Sequence, residues 1–213
     1  TGSPLAEAEA KNHSIYAMTF AETQKYDVGL KTHGRFPNQK KIAAAKPSLE
    51  EMIRVCDQYA QTTSRPLPVY NIEIKSEVEH DAVFQPPPPV FSDLVMDVIV
   101  KTGIENRVIV QSFDVRILQY FHQNFEAIQL GLLIENKQKP ALNIDILGFI
   151  PSYYNPEYIL VNHNLIAFCN DLHMKVIPWT VNDLKTMQQL IGMGVDGLIS
   201  DYPQLFNQLI VNQ

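Results

Sequence analysis

Sulfur and glycine are scarce in this chain. Two cysteines in 213 residues, Cys56 and Cys169, fall singly at apolar positions of predicted helices. That removes a disulfide framework and a zinc site built on paired cysteines. Each lone thiol is expected to be reduced and buried, behaving as a small hydrophobe. The nine glycines form no cluster after the first predicted strand, so the phosphate-cradling loop of a dinucleotide-binding sheet is missing. No apolar run is long enough to cross a bilayer. Basic residues are outnumbered, 17 Lys and Arg against 23 Asp and Glu for a net charge of -6, and no Lys/Arg cluster is interleaved with aromatics. This argues against nucleic acid as a partner. The chain starts Thr1-Gly2-Ser3-Pro4 without an initiator Met, and a segment ahead of it is expected; cytoplasmic, periplasmic and secreted locations and the oligomeric state stay open.

What is present is ample for one core, since 46% of residues are apolar and 19% charged,. A single domain over 1–213 is expected, with 1–26 as loop or insertion. From residue 48 onward, strand-like and helix-like segments alternate, the pattern of a parallel sheet covered by helices. Ser48 and Glu51 predict a capping box ahead of a helix with Leu49, Met52, Ile53 and Cys56 on one stripe. A strand over 71–75 follows, then a helix over 91–102 that stops near Gly103. Further strands are predicted at 107–113, 129–135, 158–162, 175–181 and 197–202. Asp114, and Asn182 or Asp183, are predicted helix caps, and a helix closes the chain. Residues 136–157, with Pro140, Pro151 and Pro156, read as loop and short helix. Six βα units of this spacing match a (β/α)8 barrel of the TIM type short of its first two strands, because eight units need about 250 residues. An open doubly wound sheet of six strands ranks second.

Within that frame, Asn71-Ile72-Glu73-Ile74-Lys75 stands out. Residues two apart on a strand share a face, so Asn71, Glu73 and Lys75 line one side and Tyr70, Ile72 and Ile74 the other. A charged pair at this spacing is by itself common on surfaces. At the C-terminal end of a barrel strand it becomes a candidate site, as do Gln111 with Ser112, Glu135, Asn162, Trp179 with Asn182, and Ser200 with Asp201. Trp179, the sole tryptophan, suits core packing and substrate stacking equally. The run Glu77, Glu79, His80, Asp81 is read as a solvated loop, Pro86 to Pro89 as a stiff polyproline turn, and the scattered histidines as structural.

The blocks NIEIK (71–75), VIVQSFD (108–114), VIPWTVND (176–183) and GVDGLISDYP (194–203) resemble, in order, those of the glycerophosphodiester phosphodiesterase family. The likeness runs from about residue 27 to the end. It implies a TIM barrel enzyme that hydrolyses glycerophosphodiesters to an alcohol and glycerol 3-phosphate with a divalent metal, Ca2+ or Mg2+. By that resemblance Glu73 is a metal ligand, Lys75 the catalytic ammonium beside the phosphate, and Trp179 a substrate-pocket aromatic; Ser112 is a further candidate substrate contact. The family's opening His-Arg-Gly, its Pro-Glu-Asn-Thr, its Glu-x-Asp metal pair and its two acid/base histidines have no counterpart here, and Glu79 to Asp81 is not assigned to that pair. Taken literally, the chain is expected to be inactive alone. Two other readings stay open, a non-catalytic barrel that binds a phosphate ligand and a Schiff-base lyase using Lys75.

Overall fold

The computed structural model describes residue 9 and residues 13–209; the predicted loop or insertion over 1–26 therefore lies partly outside the described residues. The chain divides into two compact units, one of residues 1–68 and 77–104 and one of residues 69–76 and 105–213.

In the first unit, a short helix α1 (Phe20–Thr23) precedes α2 (Leu49–Thr62) and α3 (Pro88–Thr102). The Ser48 hydroxyl accepts the Glu51 N–H at 3.1 Å, but Glu51 returns no bond, so only half of the predicted box forms. The reciprocal box is at Thr19 and Glu22. Glu50 instead ties α2 to α3, accepting from Lys101 at 2.7 Å and from Arg54 at 3.0 Å. The proline run is not a free turn: Pro87 is the N-cap of α3 and Pro88 opens its first turn, where a missing N–H costs nothing,. At the other end Gly103 takes φ 67° and closes the helix,. Gln85 knits the acidic run, donating to the Glu77 carbonyl at 2.9 Å and to Asp81 Oδ1 at 3.0 Å.

The second unit is a parallel sheet of five strands in chain order: β1 (Tyr70–Glu73), β2 (Val108–Ser112), β3 (Gln129–Ile134), β4 (Tyr153–Pro156) and β5 (Lys175–Val176). Strands that neighbour each other in simple sequence order fit the barrel reading and not the doubly wound sheet, whose order reverses. Helix α4 (Val115–Asn124) packs on β2 and β3, and α6 (His163–Asp171) on β5. Between them lies α5 (Pro140–Leu147), and α7 (Leu184–Met193) follows β5. The helix-facing side carries Ile74, Val108, Val110, Leu132, Tyr154 and Val176, all 2% exposed or less.

Three predicted strands are corrected. The fourth lies at 153–156, and Tyr158–Leu160 is a 3-10 turn. Pro156 closes the strand at its last position, the place a residue without an N–H is tolerated. The sixth, 197–202, runs beside β5 without forming a regular ladder. Asp196 N–H donates to Val176 O at 2.9 Å, Ile199 N–H to Pro178 O at 2.9 Å, and Val181 N–H to Ile199 O at 2.8 Å. Pro178 has no proton to return, which also cuts the predicted strand 175–181 to its first two residues,. A 3-10 helix, Pro203–Gln208, stands where a closing helix was expected.

Both cysteines are free. Cys169 is 0% exposed, as expected, and burial together with the nearby Asp196 charge pushes its thiol up to about 12. Cys56 departs from expectation and is only half-buried. A thiol reagent at pH 8 is therefore expected to label one cysteine quickly in the native chain and two after unfolding, because only a thiolate attacks. Rapid labelling of Cys169 in the native state would show that α6 does not seal it.

Candidate active site

Register decides which side chains share the inner face of the sheet. Glu73 pairs with Gln111, Gln111 with Gly131, Gly131 with Tyr153 and Tyr153 with Lys175. Alternation then puts Asn71, Gln129 and Asn155 on that face too. Lys75 lies two residues past the end of β1, and its Nζ meets Glu73 Oε1 at 2.6 Å. The carboxylate is 27% exposed and the ammonium 81%. The predicted pair thus forms, with Glu73 held by the strand and Lys75 reaching back from solvent.

Across the sheet, Asn155 Nδ2 donates to Gln111 Oε1 at 2.7 Å. The two meet over Gly131, where a Cβ would stand 2.9 Å from Asn155 Nδ2 and 3.2 Å from Gln111 Cβ. The Trp179 indole N–H donates to the Asn155 carbonyl at 2.8 Å, and its ring meets Phe113 edge-on at 5.4 Å. Trp179 is partly buried and held in place by these two contacts.

Other candidates separate from this group. Ser112 faces the helices, is 1% exposed, donates to Ile74 O at 2.7 Å and accepts the Asp114 N–H at 3.1 Å. Its hydroxyl joins β1 to α4, which is a scaffold role distinct from the expected substrate contact. Asn162 caps α6, accepting the Leu165 N–H at 3.0 Å. Asp183 caps α7, while Asn182 binds the Asp201 carboxylate at 2.9 Å and accepts from the Ser200 hydroxyl at 3.2 Å. Sequence reasoning missed Asn155, Gly131 and Phe113. A lone glycine inside an apolar strand marks close approach and could have pointed to Gly131; Asn155 was hidden in a stretch read as loop.

Asp114 secures the segment that carries Lys75. Its carboxylate accepts from Ser76 Oγ at 2.8 Å and from Arg116 Nη2 at 2.7 Å. Burial raises its pKa, but the hydrogen bonds from Arg116 and Ser76 outweigh that and leave it below the ordinary aspartate value.

The glycerophosphoryl diester phosphodiesterase family model matches residues 3–205. The chain belongs to that family. Its fold is the TIM barrel, of which the parallel sheet here is a part. A glycerophosphodiester phosphodiesterase of Caldanaerobacter subterraneus is 26% identical over 196 residues, covering 90% of this chain and 71% of that protein. One of Bacillus subtilis is 25% identical over 198 residues, covering 90% and 64%. The structure of an Oleispira antarctica phosphodiesterase in complex with the product sn-glycerol-3-phosphate superposes with a TM-score of 0.70 at 19% identity, covering 91% and 71%. The chain thus spans between 64 and 71% of the length of these relatives.

Members of this family are generally metal-dependent. Calcium takes six to eight oxygen ligands and magnesium an octahedron. Glu73 offers one carboxylate, and among the described residues no three His, Cys, Asp or Glu stand together as a cage. The described residues do not by themselves fit a complete cation site.

Two outcomes are expected. Gly131→Ala should cost about 1–3 kcal/mol in urea unfolding through overpacking. Gly197→Ala should be nearly neutral, since a Cβ there would meet Ile177 at an ordinary 3.5 Å; equal effects would remove the close approach at Gly131. Because the folded-state pKa of Asp114 is depressed, its contribution is present above the unfolded value of about 3.9 and is lost as pH falls through the folded one. Asp114→Asn should therefore flatten the acid limb of the stability profile, and an unchanged limb would mean the carboxylate is not held as described.

Proposed function

We propose that the protein hydrolyses glycerophosphodiesters to an alcohol and glycerol 3-phosphate. The observation that carries this reading is the Glu73 and Lys75 pair at the C-terminal end of β1, paired at 2.6 Å inside a family match. In a barrel, that end of the strands is where catalytic side chains converge. Lys75 supplies a mobile positive charge for the phosphoryl oxygens, whose negative charge grows as the ester bond breaks. Glu73 contributes one oxygen ligand towards a divalent cation, Ca2+ or Mg2+, and orients Lys75. Trp179 walls the pocket, pinned by Asn155 and Phe113. No step is assigned to a general acid or base, because no described histidine is bonded to this group.

A second reading is a barrel that binds a phosphate ligand without turning it over; among the described residues Glu73 is joined by no further cluster of His, Cys, Asp or Glu. A Schiff-base lyase is disfavoured: Lys75 is 81% exposed and ion-paired, whereas a lysine nucleophile of that kind is activated by desolvation or by a neighbouring cation.

The test is release of glycerol 3-phosphate from glycerophosphocholine and glycerophosphoethanolamine, with calcium or magnesium and with a chelator. Chelator-sensitive release is expected of the complete protein and little or none of the 213-residue chain alone, with a loss of about 10²- to 10³-fold in Lys75→Ala and a severe loss in Glu73→Gln at limiting metal. Full activity in either variant would overturn the assignment. Saturable binding of glycerol 3-phosphate without release would favour the second reading.

A further inference from the structure

Helix α5 packs on α4, while its contact with α6 is slight, and a groove of about 640 Å³ stays open between α5 and α6. It lies on the helix-facing side of the sheet, the side opposite Glu73, and wholly within the second unit. Its floor is apolar: Ile134, Tyr154 and Leu165 line it and are 6% exposed or less. Its wall includes Ile159, left 58% exposed on the 3-10 turn after β4. The mouth is basic. Lys137 and Lys139 are the only charged groups among the described lining residues, in a chain of net charge -6. Both are exposed and neither is ion-paired to a described residue. Their loop is nevertheless held. Asn136 Oδ1 accepts the Gln138 N–H at 3.0 Å, Asn136 Nδ2 donates to Asn143 Oδ1 at 3.2 Å, and Asn143 donates in turn to the Tyr154 hydroxyl at 2.9 Å. Both α5 and α6 begin at this mouth, so the positive ends of their dipoles add to its field,.

We propose that this groove is a second binding site, separate from the Glu73 and Lys75 face, for a fatty-acid anion whose carboxylate is held at the mouth by Lys137 and Lys139 and whose alkyl chain lies on the apolar floor against Ile159. A concave, mostly apolar cavity with a few convergent polar groups suits a small molecule. Its two halves demand different chemistry from one ligand. The floor gains only from apolar surface removed from water, whereas two unpaired ammonium groups attract an anion and repel a cation. An amphiphilic anion meets both demands. Free phosphate meets only the second, and a cationic amphiphile only the first. A single negative charge suffices at the mouth, because ion pairs of exposed lysines are weak and burial of the chain supplies most of the affinity.

The test is calorimetric titration of the 213-residue chain with octanoate, decanoate and dodecanoate, each kept below its micelle concentration. One site is expected, with Kd falling about two- to fourfold for each added methylene and a melting temperature that rises with ligand. Lys137→Gln combined with Lys139→Gln should raise Kd for dodecanoate about 3- to 30-fold. Ile159→Asp, at a position exposed enough to accept a polar side chain, should raise it about tenfold or more by setting a carboxylate against the chain,. Dodecyltrimethylammonium, with the same chain and a cationic head, should bind about tenfold more weakly or not at all. Equal affinity for that cation, wild-type affinity in the lysine variant or in Ile159→Asp, or no dependence on chain length would overturn the inference. Tighter binding of dodecyl phosphate, lost in the same variants, would overturn the carboxylate assignment. Capture by phosphatidylglycerol vesicles with no binding of the monomeric acids would overturn the ligand site in favour of a membrane-facing surface.

Discussion

The arrangement depends on one row of parallel register running Glu73, Gln111, Gly131, Tyr153 and Lys175. In a parallel sheet every second residue of each strand faces the same way, so this row assigns Glu73 and the amides of Gln111 and Asn155 to one side, together with Ile109 and Leu133, and an almost wholly apolar set to the other,. The glycine in the middle is what makes the row more than a set of neighbours. Without a side chain on β3, Gln111 and Asn155 reach each other across two strand spacings, and the 2.7 Å bond between them links the β1 side of the face to Trp179. A one-residue slip of β1 would turn Glu73 into the helix layer, where an unpaired carboxylate is costly,.

The helix-facing side answers a different demand. Val110 and Leu132 bury apolar surface beneath α4 and Val176 beneath α6, and Ile74 and Tyr154 are buried on the same side. The polar groups among them are satisfied locally. Tyr154 takes a hydrogen bond from Asn143 at 2.9 Å. Ser112, Ser76 and Asp114 form a chain of bonds that fastens the end of β1 to the first turn of α4. That chain holds the root of Lys75 while leaving its ammonium free to move, so the side chain most exposed to solvent is anchored by some of the least exposed.

Much of this was legible in the sequence because it rests on local signals. The alternation in residues 70–75 gave the correct faces of β1, Asp114 and Asp183 announced their helices, and Gly103 ended α3. Failures came where tertiary context outweighs local pattern. Prolines 151 and 156 bracket β4 and masked it as loop, although a strand may end on a proline,. Pro178 breaks a run that otherwise reads as continuous strand. Ser112 and Gln111 are adjacent and polar, and only register separates the one spent on the scaffold from the one on the site face. The Gln111 to Asn155 bond joins residues 44 apart, and no local pattern encodes it.

Charge balance links these geometric facts to the proposed chemistry. An ion pair with one partner 81% exposed contributes little, of the order of 0–1 kcal/mol,. Lys75 can therefore leave Glu73 for a phosphate at small cost. Once it does, a carboxylate only 27% exposed faces an arriving anion without a counter-charge, which is unfavourable unless another positive group takes over. The described residues gather no cage for such a group. On the proposed reading, phosphate affinity in this chain should thus be coupled to an added divalent cation, each strengthening the binding of the other as linkage requires.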